Sequence, residues 1–170
     1  GSASQTACAV GTYQPSAGQS SCTDASAGYY VDSTAATSQT ACATGTYQAS
    51  TGQTSCTDAD AGYYVSGVGS SSQTACSAGT YQPSAGQSSC TVADAGYYVS
   101  AIAATSQTAC SAGTYQASAG QSSCTDASAG YYVSSTAATS QTACSTGTYQ
   151  ANAGQSSCTD ASAGYYVDST

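Results

Sequence analysis

Residues 42–56 read CATGTYQASTGQTSC, and this stretch decides the fold because the chain contains five closely similar copies of it. The spacing between the two cysteines is the same in every copy, and the copies follow one another with a constant 34-residue period. A fixed period of about 20–50 residues is typical of a solenoid or a linear array rather than of one globular domain. The cysteines of the five copies are Cys8 and Cys22, Cys42 and Cys56, Cys76 and Cys90, Cys110 and Cys124, and Cys144 and Cys158.

The period divides the chain into repeats, each of which consists of two related 17-residue halves. Within the first repeat, Gly11 corresponds to Gly28 and Tyr13 to Tyr30. The last residues continue into the first in register with the repeat, which predicts that the sequence is part of a longer polypeptide or filament. The predicted boundaries are 1–7 for the end of a preceding repeat, 8–41, 42–75, 76–109 and 110–143 for complete repeats, and 144–170 for a truncated one.

Each half predicts a short β-hairpin. In the first half, residues 12–14 are strand-prone, residues 15–18 carry the proline and glycine of a turn, and residues 19–22 return. In the second half, residues 29–31 predict the first strand and residues 38–41 the second. No segment has apolar residues at helical spacing. The expected fold class is all-β with little regular secondary structure, as a linear tandem array of disulfide-stapled hairpin repeats.

The cysteines are expected to form disulfides because the chain has few apolar residues with which to build a core. It contains no Phe, Trp or Met, and the ten cysteines recur at regular spacing without histidine. This pattern predicts a disulfide framework, and two cysteines so far apart in the sequence do not fit a zinc site. The hairpin places Cys8 and Cys22 near its open end, which favours that pairing, and Cys22 with Cys42 is the alternative. Disulfides persist in oxidising compartments, so we expect an extracellular or cell-surface protein.

The charge excludes several classes of function. The net charge is −8 with no Lys, Arg or His, so nothing could neutralise the phosphates of a nucleic acid. The chain also lacks Glu, which leaves no usual base to activate a nucleophile, and we expect neither an enzyme nor a cofactor. No apolar run approaches the roughly 20 residues that span a bilayer.

The aspartates are too sparse for a calcium site, which needs six to eight oxygen ligands. We expect no metal, and interpret these carboxylates as solvated loop charges or turn caps. Six of the eight aspartates occupy two repeat positions, one with Asp24, Asp58, Asp126 and Asp160 and the other with Asp60 and Asp94.

Tyrosine is the only aromatic residue, and one tyrosine per half is expected to stack as a thin core. The other tyrosine of each Tyr-Tyr pair, which is the first of the two, should face outward, because neighbours in a strand point to opposite faces. The stacking residues are predicted to be Tyr13, Tyr30, Tyr47, Tyr64, Tyr81, Tyr98, Tyr115, Tyr132, Tyr149 and Tyr166.

The abundant hydroxyl groups indicate O-linked glycans, which Ser/Thr-rich extracellular segments often carry. The candidates are Thr34, Thr37 and Thr40 with their equivalents in other repeats, and the alternative is a plain hydroxyl surface. N-linked glycans are excluded because the single asparagine, Asn152, is followed by Ala153 and Gly154.

Residues 8–22, which read CAVGTYQPSAGQSSC, resemble the ephrin-receptor-like cysteine-rich repeat, and the resemblance extends over all five copies. That repeat is distantly similar to the repeats of tumour necrosis factor receptors. The resemblance implies small disulfide-bonded β modules, stacked end to end in extracellular chains, and it supports the pairing of Cys8 with Cys22. The chain departs from the pattern at Ala25, where a cysteine of a second pair would be expected.

These features favour a structural subunit of an extracellular filament, hair, sheath or stalk, because near-identical units form a uniform polymer. The expected partners are other copies of the chain or further repeats, together with covalent O-linked glycans. One alternative is the stalk of a cell-surface adhesin or receptor that carries a separate head domain. A weaker alternative is ice binding by ranks of threonine.

Overall fold

The computed structural model of the protein describes residues 4–168, and the predicted continuation of the chain's last residues into its first involves residues outside this range. Residues 4–168 contain no helix, and therefore none that is long and apolar enough to cross a membrane. Their regular structure consists of two-residue strands. The strands are β1 (Thr12–Tyr13), β2 (Thr23–Asp24), β3 (Tyr29–Tyr30), β4 (Thr40–Ala41), β5 (Thr46–Tyr47), β6 (Thr57–Asp58), β7 (Tyr63–Tyr64), β8 (Thr74–Ala75), β9 (Thr80–Tyr81), β10 (Thr91–Val92), β11 (Tyr97–Tyr98), β12 (Thr108–Ala109), β13 (Thr114–Tyr115), β14 (Thr125–Asp126), β15 (Tyr131–Tyr132), β16 (Thr142–Ala143), β17 (Thr148–Tyr149) and β18 (Thr159–Asp160).

Consecutive strands pair into antiparallel two-stranded hairpins, one in each 17-residue half. In the second half of the first repeat, Tyr30 pairs with Thr40, as the sequence predicts. In the first half the prediction is wrong: Tyr13 pairs with Thr23, so the return strand follows residues 19–22 instead of occupying them. The all-β fold class, with tandem hairpins and little regular structure, is confirmed.

The return strand is displaced because Gln14 holds the intervening residues as a loop. Its side-chain amide donates to the carbonyl oxygen of Ser21 at 2.8 Å, and its amide oxygen accepts from the backbone N–H of Ser16 at 3.1 Å. These bonds use backbone groups that a longer strand ladder would need. The hairpin can therefore pair only beyond Cys22.

Successive hairpins are joined by recurring backbone hydrogen bonds. The N–H of Gly28 donates to the carbonyl oxygen of Gln48 at 2.7 Å, and the N–H of Val31 donates to that of Gln53 at 3.0 Å. Equivalent bonds recur from one half to the next within each part of the chain. Although each strand is only two residues long, its neighbours in the next hairpin satisfy backbone groups that would otherwise need water.

The contacts divide the chain into two units with the same internal arrangement. The first comprises the residues up to Cys76 together with Gln82–Cys90, and it contains the hairpins from β1–β2 to β7–β8. The second comprises Ser77–Tyr81 and the residues from Thr91 onward, with the hairpins from β9–β10 to β17–β18. The predicted repeat boundaries follow from the 34-residue period of the sequence and stay a prediction.

Small side chains form the buried core. The first position of each half alternates between cysteine and alanine, and a valine is buried in alternate halves. The tyrosines expected to form the core are instead half-buried or exposed. The buried apolar residues are Cys8, Ala25, Val31, Cys42, Ala59, Val65 and Cys76 in the first unit, and Ala93, Val99, Cys110, Ala127 and Val133 in the second.

The glycine that follows the first position of each half by three residues fixes this close approach. Gly45 has a φ of +83°, and a Cβ built on it would lie 2.3 Å from the carbonyl oxygen of Gly86. Both features exclude any other residue without a shift of the backbone. The hairpins can therefore pack at this distance only because glycine recurs at this position in every half.

A second left-handed residue lies in each hairpin loop. Gly18 adopts a φ of +76°, which confirms the predicted role of glycine in this turn. In some second halves the same position is alanine, at Ala35, Ala103 and Ala137, with φ values of 57°, 53° and 54°. Alanine is strained in this conformation, so these three loops carry a local cost that the equivalent Gly69 avoids.

Candidate functional site

Five disulfides close the first halves of the repeats. Each bridge joins cysteines 14 residues apart, with Cα atoms 5.7–5.8 Å from each other. Cys8 is bonded to Cys22, and no cysteine of the chain is free. Cys42 is fully buried while its partner Cys56 is half-buried, so this bridge runs from the core towards the surface. In the last bridge, Cys144 and Cys158 are both half-buried.

A glutamine closes each second half at the place where the first half has its disulfide. Ala25 corresponds to Cys8 and Gln39 to Cys22. The amide oxygen of Gln39 accepts a hydrogen bond from the N–H of Ser26 at 2.7 Å. This closure was not predicted from the sequence. The signal was present, since every described second half has glutamine there, at Gln39, Gln73, Gln107 and Gln141.

The aspartates lie in two different environments. Asp60 accepts a hydrogen bond from the side chain of Gln73 at 2.7 Å, so it supports the glutamine closure of its half. Asp24 is exposed and lies beside the loop glycine Gly52. Within residues 4–168, no three Cys or Asp side chains come together in a way that could hold a metal ion.

The three threonines predicted to carry glycans are all exposed. Thr34 and Thr37 lie in the loop of the second hairpin, and Thr40 lies in strand β4. None of their side chains makes a hydrogen bond to another of the described residues. They are therefore accessible, although the structure places them in two different settings.

One face of every hairpin pairs a tyrosine with a threonine across the two strands. The tyrosines are half-buried, apart from Tyr149, which is 43 % exposed, and all nine threonines are exposed. Directly opposite residues in an antiparallel pair share one face, with Cβ atoms about 4.5–5.5 Å apart. We call these residues the tyrosine–threonine face: Tyr13 and Thr23, Tyr30 and Thr40, Tyr47 and Thr57, Tyr64 and Thr74, Tyr81 and Thr91, Tyr98 and Thr108, Tyr115 and Thr125, Tyr132 and Thr142, and Tyr149 and Thr159.

The tyrosine–threonine face contains nine of the ten tyrosines predicted to stack. The tenth, Tyr166, lies outside the described strands and is 86 % exposed. Direct stacking of the rings on one another stays a prediction. Four threonines of this face, Thr40 and its equivalents Thr74, Thr108 and Thr142, were among the predicted glycan acceptors. The five in the first halves were not predicted, although threonine recurs there in every half.

Small hairpins closed by disulfides and repeated in tandem define a disulfide-stapled β-repeat protein. A family model described as tyrosine-protein kinase ephrin type A/B receptor-like matches residues 1–42 and 96–144, which together exceed half of the chain. The chain therefore belongs to the family of ephrin-receptor-like cysteine-rich repeats. No curated protein matches the chain.

Membership of this family limits the function in broad terms. Its disulfide-rich repeats are typically non-enzymatic modules, and they indicate an extracellular or cell-surface protein. The described residues thus provide a repeated scaffold with closed hairpins and a regular polar surface.

Proposed function

We propose that the protein is a structural subunit of an extracellular filament, hair, sheath or stalk, and that its surface is O-glycosylated. The observation that carries this proposal is the uniformity of the halves. Equivalent hydrogen bonds join each hairpin to the next within each unit, and the same glycine recurs in each half. A scaffold without a distinctive repeat suits a protein that extends a regular assembly better than one that forms a single ligand site.

The exposed tyrosines at one end support further stacking of the same kind. Tyr165 and Tyr166 are 79 % and 86 % exposed, whereas the equivalent Tyr29 and Tyr30 are half-buried in the first repeat. The next hairpins cover these positions inside each unit, so the natural occupant is another repeat or a second copy of the chain. Because the chain has no Lys or Arg, such a contact would rest on tyrosine burial and backbone hydrogen bonds rather than on salt bridges.

The glycan proposal is supported by exposed hydroxyl groups on a core that is thin. The largest fully buried side chains are cysteines, so little apolar area stabilises each hairpin. A layer of sugar on exposed threonines such as Thr34 and Thr37 would shield this scaffold from solvent and proteases. It would also keep the surface soluble without the cations that the chain lacks.

Electron microscopy of the native material tests the assembly. We expect filaments or stalks with a periodic structure along their axis, which persist when added salt screens the aspartates. The covering of Tyr166 is tested by Tyr166→Ser, which should weaken assembly. Ile102→Ser is the control, because Ile102 is 73 % exposed in a hairpin loop of the same unit. A monodisperse, compact particle under all conditions would contradict the structural role. A non-repeat head domain in the full-length gene would favour the adhesin or receptor stalk.

A further inference from the structure

We propose that the threonines of the tyrosine–threonine face are the principal O-glycan acceptors, and that each sugar lies against the ring of the cross-strand tyrosine. This inference rests on the O-glycosylation proposed above and specifies where it occurs. It predicts a regular row of sugars within each unit, with four acceptors in the first and five in the second.

The hydroxyl groups of the threonines of this face have no hydrogen-bond partner among residues 4–168. Thr23 is exposed, and its hydroxyl makes no hydrogen bond within that range. Thr12, in the opposite strand, differs: it is half-buried, and its hydroxyl donates to the carbonyl oxygen of Ala9 at 2.8 Å. Packing and hydrogen bonding thus explain the threonine at position 12, but neither explains the one at position 23.

Threonine is kept at this position while serine and threonine interchange elsewhere. Ser20 becomes Thr54 in the next repeat, whereas all nine threonines of the face remain threonine. Strand preference favours a β-branched residue, but valine would satisfy that preference equally well. The retained feature is therefore the hydroxyl group on a β-branched side chain that is fixed in a strand.

The loop candidates are less regular. Thr34 is replaced by Val68 and Ile102 in the second and third repeats, which have no hydroxyl to modify. Thr37 is replaced by Ser71. A coat built on these loops would have gaps, whereas a coat built on the tyrosine–threonine face would have one acceptor in every half.

The tyrosine beside each threonine favours a sugar as the occupant. Tyr98 is half-buried, so part of its ring is accessible next to the exposed Thr108. A tyrosine ring has an apolar face and a polar tip, which match the C–H face and the hydroxyl groups of a pyranose.

Ice binding needs a surface on which methyl and hydroxyl groups order water, and a ring opposite every threonine interrupts such a surface.

The modification itself requires an activated sugar phosphate and a transferase. The Oγ1 atom of threonine attacks the anomeric carbon of the donor, and a new bond forms between these two atoms. The bond from the anomeric carbon to the phosphate oxygen breaks, the phosphate leaves with the electron pair, and the hydroxyl proton passes to a base on the transferase. No oxidant or reductant is needed, and the only group required of this chain is the free hydroxyl.

Mass spectrometry of the native, full-length protein tests the assignment. The disulfides are reduced and alkylated, and glycopeptides are mapped by fragmentation that preserves the glycosidic bond. We expect sugars on the threonines of the face. Sugars confined to the loops at Thr34, Thr37 and their equivalents would overturn this inference while the proposed glycosylation survived. A chain without any sugar would overturn both.

Two variants provide a matched comparison in a host that glycosylates the wild-type chain. Thr108→Val retains the β-branched shape and should lose the mass of one glycan. Thr105→Val, in the neighbouring exposed loop, should lose none. Because tyrosine is the only aromatic residue, quenching of its fluorescence by acrylamide should increase when the sugars are removed enzymatically. Unchanged quenching would contradict the contact between sugar and ring.

Discussion

Replacing Gly113 with alanine tests whether a close backbone contact between one hairpin and the second hairpin after it holds the array together. Gly113 has a φ of +90°, and a Cβ at this position would lie 2.3 Å from the carbonyl oxygen of Gly154. The N–H of Gly154 donates to the carbonyl oxygen of Ala127 at 2.7 Å. Alanine at position 113 must therefore displace the loop that makes this hydrogen bond.

The expected loss of stability has two parts. The left-handed conformation costs alanine about 1–2 kcal/mol. The Gly154 loop must move by about 1 Å to bring its carbonyl oxygen to an ordinary contact distance from the new Cβ. This movement breaks a backbone hydrogen bond, which costs about 1–3 kcal/mol. The free energy of local unfolding should therefore fall by about 2–5 kcal/mol.

Gly147 provides a matched control because it occupies the same repeat position. Its φ is +84°, but a Cβ there would meet nothing within 4 Å. Gly147→Ala should therefore lose only the conformational part, about 1–2 kcal/mol. The difference between the two variants isolates the clash with Gly154.

Amide hydrogen exchange is the suitable assay, because repeat arrays need not unfold in a single two-state step. The N–H of Ala127 donates to Gly113 and that of Ala161 donates to Gly147, so these amides report on the two sites. Protection of Ala127 in Gly113→Ala should fall about 5- to 150-fold further than protection of Ala161 in Gly147→Ala. Equal losses would refute the argument that hairpin packing depends on this contact.

Three further predictions concern the closures, the core and the loops. The double substitution Ala25→Cys and Gln39→Cys should form a sixth disulfide and increase the free energy of unfolding by about 3 kcal/mol, measured from the unfolding midpoint. If mass spectrometry found two free thiols instead, the two halves would not be equivalent. Val99 is only 3 % exposed, so Val99→Ala should lower the free energy of unfolding by about 2 kcal/mol in denaturant titration. Ile102 is 73 % exposed, so Ile102→Ala should change it by no more than about 0.5 kcal/mol. Similar losses in the two variants would contradict the assigned core. Ala103 has a φ of +53°, which favours glycine, so Ala103→Gly should stabilise the chain by up to about 1 kcal/mol and raise the denaturation midpoint. A lower midpoint would contradict strain at this residue.

The period and the turns could be predicted because local chemistry determines them. The recurrence of glycine and tyrosine identified the 17-residue halves, and Gly18 adopts the left-handed conformation that a turn glycine should. The second-half strands were also placed correctly, because the aromatic Tyr29 and Tyr30 are strand formers with a clear partner segment. In each case the signal lies within a few residues of the feature.

The remaining features depend on contacts that propensity does not reveal. The loop that Gln14 stabilises is polar and has no alternation, so nothing local showed that its return strand would begin at Thr23. The tyrosines were assigned to the core by their size, but the buried apolar positions are occupied by Cys, Ala and Val. The role of Gln39 needed the tertiary position of Ser26.

Reduction of the disulfides tests most directly whether closed hairpins, rather than a hydrophobic core, hold the protein together. Each bridge closes a loop of about 15 residues, which contributes about 3 kcal/mol. The amide of Gly28, which donates to Gln48, and the equivalent amides of the other halves report on the contacts between hairpins. After complete reduction and alkylation, we expect these amides to lose their protection from hydrogen exchange throughout the described repeats. Native protection retained by a chain with ten alkylated cysteines would contradict this account.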